Sequence, residues 1–240
     1  KPFGVDTLLP MSVRGGGNLK QNDGKDPSGL VAEYQEMAKG FMNEHGLKMT
    51  ESDRSPTAIE SVGLFTKEFF EQQMEVVIEE KVPVYAAGLG NPSPWMERLK
   101  ANNTRVMTVV GAVRHTVKVS SAGVDAIVAQ GHDAGGHNSP IGTMALIPQV
   151  VDAANGIPIL GAGGISDGRG IAAAMMLGAE GAWIGSAFLA SEEAGIHDHQ
   201  KQAILDSTEE GTVISRSITG KPARIIRSSW TDFWERSEHD

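Results

Sequence analysis

The sequence contains no cysteine in 240 residues. Disulfides, thiolate metal sites and a cysteine nucleophile are therefore excluded, and the compartment stays open on redox grounds. No apolar run approaches the roughly 18 residues of a membrane span, and no segment is built like a secretory leader. The cytoplasm is the default location. Positive charge is also short: 21 Lys and Arg against 30 Asp and Glu give a net charge of −9. A nucleic-acid footprint, which needs a basic face, is not expected. An initiator Met is missing as well. The chain opens on Lys1-Pro2-Phe3-Gly4-Val5-Asp6, directly in a strand-like segment, and we expect an N-terminal portion to precede it.

What is present is a soluble composition, 40% hydrophobic and 21% charged, with enough length for one large domain and a real core. Phe3 to Leu9 reads as a first strand. The turn formers of Gly15-Gly16-Gly17, Asn22-Asp23-Gly24 and Asp26-Pro27-Ser28-Gly29 mark a long loop. A helix is expected over Leu30–His45, stopped by Gly46. Another is expected over Thr66–Lys81, with Phe69, Phe70, Met74, Val77 and Ile78 on one face and Thr66 as cap.

From Val82 the pattern becomes regular. Strands are expected at Val82–Gly88, Arg105–Ala112, Val124–Gln130, Ile157–Ala162 and Ala182–Ile184. Helices are expected at Pro94–Ala101, Thr116–Ala122 and Leu146–Ala154, with a fourth at Gly168–Leu177 that Asp167 caps. Strands alternating with helices give a parallel sheet. Units of roughly 25–35 residues favour a (β/α)8 barrel or a doubly wound sheet. Six units are two short of eight, which agrees with a missing N-terminal stretch. We read residues 1–240 as one barrel domain, with a loop and helical insertion over 11–65 and a post-barrel segment over 190–240.

Chemistry gathers where strands end in glycine. Gly163-Gly164 follows one strand and Gly185-Ser186 follows the next. Such loops expose backbone N–H groups, and in barrels this pair forms the usual phosphate site. No lysine or arginine stands in either turn, so backbone and Ser186 must do the binding. Earlier comes Gln130-Gly131-His132-Asp133-Ala134-Gly135-Gly136-His137. His137, on the same presumed face, can abstract a proton or donate to an anionic substrate. His132 and Asp133 fall short of a metal cage. Gln130 is equally suited to cap its strand or touch a cofactor. His115 is read as structural, and His197 and His199 as solvated.

These residues resemble the nitronate monooxygenase (2-nitropropane dioxygenase) family, whose motifs are shared with flavin-dependent enoyl-ACP reductases. The resemblance rests on Gln130–His137, Pro158–Gly170 and Leu177–Leu189, and extends to Lys1–Val5 and to Gly211–Arg224. It implies a TIM (β/α)8 barrel lacking its first two βα units here, with FMN as cofactor. It implies that Gly163, Gly164, Gly185 and Ser186 hold the FMN phosphate, that Gln130, Gly135 and Gly136 line the flavin, and that His137 is the active-site histidine. Asp6 stands where the family usually has Asn beside the flavin, and Ser186-Ala187 where it has Thr-Arg.

The expected activity is oxidation of alkyl nitronates by O2. The alternative is NAD(P)H-dependent reduction of enoyl or cyclic-enone thioesters, and behind it stands a non-flavin phosphate-binding lyase or isomerase. A small-molecule substrate is expected, with a homodimer as one candidate assembly.

Overall fold

The computed structural model describes residues 3–8, 27–48, 67–88 and 90–237. Two compact units are distinguished, Pro10–Glu75 and the combination of Lys1–Leu9 with Val76–Asp240. The smaller holds helix α1 (Pro27–Glu44) and the first turns of α2 (Lys67–Glu79). Helix α1 ends as its glycine predicts. Gly46 has φ +61, and Leu47 N–H reaches back to Met42 O at 2.8 Å, the six-to-one bond of a glycine-terminated helix. The expected cap Thr66 and most of the turn-rich loop lie outside the described residues.

The larger unit is an α/β half-barrel. Its strands are β1 (Gly4–Leu8), β2 (Val84–Gly88), β3 (Arg105–Val110), β4 (Ala126–Gln130), β6 (Ile159–Ala162) and β7 (Gly181–Trp183), hydrogen-bonded in that order. All five pairings are parallel. From β2 onward each return includes a helix: α3 (Met96–Ala101), α4 (Val113–Ser121), α5 (Thr143–Ala153) and α6 (Gly168–Met176).

Alternation along the strands sorts the two faces. In β3, Val106, Thr108 and Val110 are buried, while Met107 and Val109 are half-exposed. The buried face meets the helices, whose Leu99, Leu146, Ile147 and Val150 are fully enclosed. Burial of each such side chain stabilises by about 1.5–3 kcal/mol. Gly161 lets two helices approach: a Cβ there would lie 2.8 Å from Ile147 Cδ1 and 3.0 Å from Ala174 Cβ. The other face curls round a cavity of 470 Å³ lined by Phe3, Gly4, Val5 and Asp6 of the first strand, Val84, Ala86 and Met107, and Trp183 of the last. The two edge strands thus face one space. At the opposite end Asp125 accepts from Val106 N–H (2.7 Å) and pairs with Lys100 (2.5 Å) and Arg105 (3.0 Å).

Two features differ from the sequence expectations. Helices α4 and α5 each begin three residues before Thr116 and Leu146, because the chain turns directly out of the preceding segment into the helix. Helix α5 also contains Pro148. Secondly, a three-stranded antiparallel sheet joins β5 (Gly136–His137), β9 (Ala223–Ile226) and β8 (Thr212–Ser215). A two-residue strand has no readable period, and its partner lies far along the chain. Helices α7 (Ser186–Leu189), α8 (Asp198–Asp206) and α9 (Ser229–Arg236) complete the unit. Among the described residues, no helix is long and apolar enough to cross a membrane.

Candidate active site

Parallel pairing places the C-terminal ends of all six strands at one end of the sheet, and the loops leaving β4, β6 and β7 converge there. Their approach is legible at the glycines. A Cβ on Gly135 would lie 3.0 Å from Ser186 Oγ, and one on Gly164 would lie 3.1 Å from Asp133 Cβ. One on Gly163 would lie 2.6 Å from Thr143 Oγ1 and 3.0 Å from Ala134 N. Gly163 and Gly164 also take φ +107 and +70, backbone that side chains rarely adopt. Gly185 is different: a Cβ there would meet nothing within 4 Å. The turns therefore leave a backbone-lined recess flanked by the Ser186 hydroxyl. Among the described residues, Gly164, Gly185 and Ser186 donate no backbone hydrogen bond outside regular elements. A cradle of open N–H groups and a hydroxyl fits a phosphate monoester.

The β4 loop is held by its own side chains. Asp133 Oδ2 accepts the Thr143 N–H at 2.8 Å, closing the first turn of α5, where Gly142 provides no side-chain cap. That bond, ahead of an opposing loss of hydration, holds the Asp133 carboxyl below its usual range. His132 Nδ1 lies 3.0 Å from Ser139 O, and its own carbonyl accepts from Asn138 (2.9 Å) and Arg224 (3.2 Å). Asp133 and His132 thus serve the loop itself. Among the described residues there is no group of three or more His, Cys, Asp or Glu side chains that could hold a metal ion.

Gln130 and His137 are brought together. Gln130 Nε2 donates to His137 O at 2.6 Å, which fixes the end of β5 against the end of β4. The imidazole is half-exposed, and its Nε2 lies 2.7 Å from Thr219 Oγ1. Partial burial, then the positive charge of Lys221, hold the imidazole pKa below its ordinary value. At neutral pH the ring is therefore neutral, the form able to take up a proton. Gly136, with φ +75, pairs with Arg224 in the small sheet.

Asp6 occupies a third setting, on the wall of the sheet cavity. Its carboxyl is open to that space, yet the surrounding wall strips hydration and raises its pKa, against a lowering bond from the Gly88 backbone. Asp167 caps α6 as expected, accepting from Arg169 N–H at 2.9 Å. Thr219 was not legible as a site residue. Its only signal is its place in the post-barrel segment, and its contact with His137 depends on the β5–β9 pairing.

Comparison with known proteins agrees with this fold. The chain matches the nitronate monooxygenase family over residues 1–239. A Mycobacterium tuberculosis protein named as a monooxygenase is 39% identical over 245 residues, covering 99% of this chain and 64% of the relative. A Staphylococcus saprophyticus protein carrying the nitronate monooxygenase name is 40% identical over 181 residues, 70% of this chain and 51% of the relative. Among solved structures, nitroalkane oxidase from Streptomyces ansochromogenes superposes with a TM-score of 0.76 at 28% identity, over 97% of this chain and 63% of that one. FabK from Thermotoga maritima gives 0.68 at 38% identity, over 73% and 56%. The chain thus spans between about half and two thirds of the length of these relatives. Its half-barrel is part of a TIM barrel of the kind its solved relatives have, and the chain belongs to the nitronate monooxygenase family.

Proposed function

We propose that the protein is an FMN-dependent oxidoreductase that oxidises alkyl nitronates with molecular oxygen. The observation that carries this reading is the convergence of three strand-end loops, with Gly135 against Ser186 and Gly163 against Ala134, beside a histidine whose neutral form is favoured. In this reading Gly163, Gly164, Gly185 and Ser186 hold the FMN phosphate. Gln130, Gly135 and Gly136 wall the ring system, and Asp6 faces it from the sheet cavity. FMN held there would supply the electron acceptor for the substrate, with oxygen as the final acceptor.

The chain's own residues bind, orient and move protons. His137 stands where it can donate to the nitro oxygens of a nitronate or remove the α-proton of a neutral nitroalkane. Thr219 fixes the ring plane and ties the tautomer to its hydroxyl. Gln130 holds the backbone that carries the ring. No cation in the cradle is required, because phosphate held by backbone N–H groups and a hydroxyl suits a resident cofactor.

A second reading is a flavin reductase of enoyl or cyclic-enone thioesters using NAD(P)H. It is supported by the 38% identity to FabK, above the 28% to nitroalkane oxidase, although the FabK match covers less of the chain. Anaerobic mixing of the FMN-loaded full-length protein separates the two. Bleaching of the flavin band by an alkyl nitronate and not by NAD(P)H supports the oxidation; rapid bleaching by NAD(P)H alone replaces it with the reductase. A protein that takes up no FMN sinks both.

A further inference from the structure

The sheet cavity holds an acid that the chemistry above does not use. Among the described residues that line it, Asp6 alone can ionise; the others, Trp183 and Met107 among them, are apolar or glycine. Strand pairing sets its direction. Asp6 lies opposite Ala86, and Ala86 opposite Met107, in parallel register, and all three share the cavity wall. The next side chain turns away, as alternation requires: Thr7 Oγ1 lies 2.8 Å from the hydroxyl of Tyr85, which is fully enclosed on the helix side.

No cation compensates this carboxyl. Among the described residues Asp6 forms no ion pair. Burial raises its pKa, a bond from the Gly88 backbone opposes the rise, and neither cause is a neighbouring charge. Tyr85, pushed up to about 12 by burial first and by Asp6 last, stays neutral beside it. The residue is exposed on its open side, so protons can reach it from solvent. The cavity also adjoins the cradle: Trp183 ends β7 two residues before Gly185. The space that Asp6 lines therefore opens beside the turn that would hold the phosphate.

We propose that Asp6 couples the redox state of the bound flavin to pH, its carboxyl taking up a proton as the ring gains negative charge and releasing it on reoxidation. The inference rests on the flavin reading above. The electrons come from the substrate and leave to oxygen, while the proton comes from solvent and returns there, so the cycle balances. A carboxylate on the wall repels a reduced, anionic ring; the protonated acid does not. Charge near the ring is one of the levers by which a protein sets flavin electronics. Linkage makes the effect reciprocal: reduction raises the proton affinity of Asp6, and protonation of Asp6 raises the reduction potential. Above the folded Asp6 pKa the carboxylate therefore holds the potential down. As pH falls through that pKa the effect is lost.

The test is the reduction potential of FMN bound to the full-length protein, read against a reference dye with dithionite as reductant, from mildly acidic to alkaline pH. At alkaline pH, Asp6→Asn should favour reduced over oxidised FMN about tenfold more than the parent does, a shift of about 30 mV for two electrons. The gap should close as pH falls and the parent's Asp6 becomes protonated. Asn keeps the size of Asp6 and an oxygen for the Gly88 bond; Asp6→Ser is a second uncharged replacement and should show the same gap. Asp206→Asn, which removes an exposed carboxylate on α8, should keep the parental potential. His137 and Lys221 remain in every protein compared, so their charges cancel. Asp6 variants with the parental potential at alkaline pH, or a gap that does not change with pH, overturn the proposal and leave the flavin reading standing. A parent that takes up no FMN overturns both.

Discussion

His137 Nε2 and Thr219 Oγ1 lie 2.7 Å apart, although 82 residues separate them in the chain. The contact exists because His137 pairs with Ala223 in a two-residue strand, which brings the post-barrel segment over the strand-end loops. It places the ring's tautomer under the control of a residue outside the barrel.

The pH behaviour of His137 follows. Burial and Lys221 depress its pKa, so the neutral base persists to lower pH than an ordinary imidazole at about 6.5. Lys221→Met removes a repelling charge and should raise the His137 pKa, moving the acidic limb of the pH–rate profile upward. The same depression means the unfolded chain takes up the proton first. The stabilising contribution is present above about 6.5 and lost as pH falls through that value toward the folded pKa. Histidine NMR titration of parent and variant checks the direction.

Thr219→Val should leave folding nearly unchanged and lower turnover about tenfold, the scale of one lost orienting hydrogen bond. Thr219→Ser should restore it. A Val variant with parental kcat and an unaltered His137 pH profile would assign Thr219 to packing alone.

Asp133 offers a stability test. Asp133→Ala removes the acceptor for Thr143 N–H and should cost about 1 kcal/mol, the usual value of a lost helix cap. Its carboxyl pKa is lowered in the fold, so this contribution is present above the ordinary carboxylate value and fades as pH falls through the folded one. Thermal melts of parent and variant should therefore differ at neutral pH and converge in acid.

The fold was legible where periodicity is strong. All six parallel strands were readable, since Val106-Met107-Thr108-Val109 and Ile127-Val128-Ala129 alternate or run apolar between glycines. Asp167 was readable as a cap because it immediately precedes a small-residue helix. The glycine turns at Gly163 and Gly185 were readable as a pair because they end consecutive strands. What lay hidden depends on distant pairing. The β5–β9 ladder leaves no pattern in two residues, so Thr219 and Arg224 carried no local sign of their roles. Asp133 read as a stray carboxylate because its partner N–H, ten residues on, belongs to a helix whose start the sequence placed too late.

The glycine turns separate folding from binding. Gly163→Ala would force a side chain into φ +107 and within 2.6 Å of Thr143 Oγ1, and should destabilise by about 2 kcal/mol. Gly185 has φ −107 and open space around it, so Gly185→Val should fold and melt like the parent.

That makes FMN titration of the full-length parent and Gly185→Val the most direct test of the central claim, read by quenching of flavin fluorescence. The parent should bind FMN, and the variant should bind at least about tenfold more weakly at an unchanged melting temperature. Equal affinity in both proteins, or no FMN binding by the parent, would contradict it.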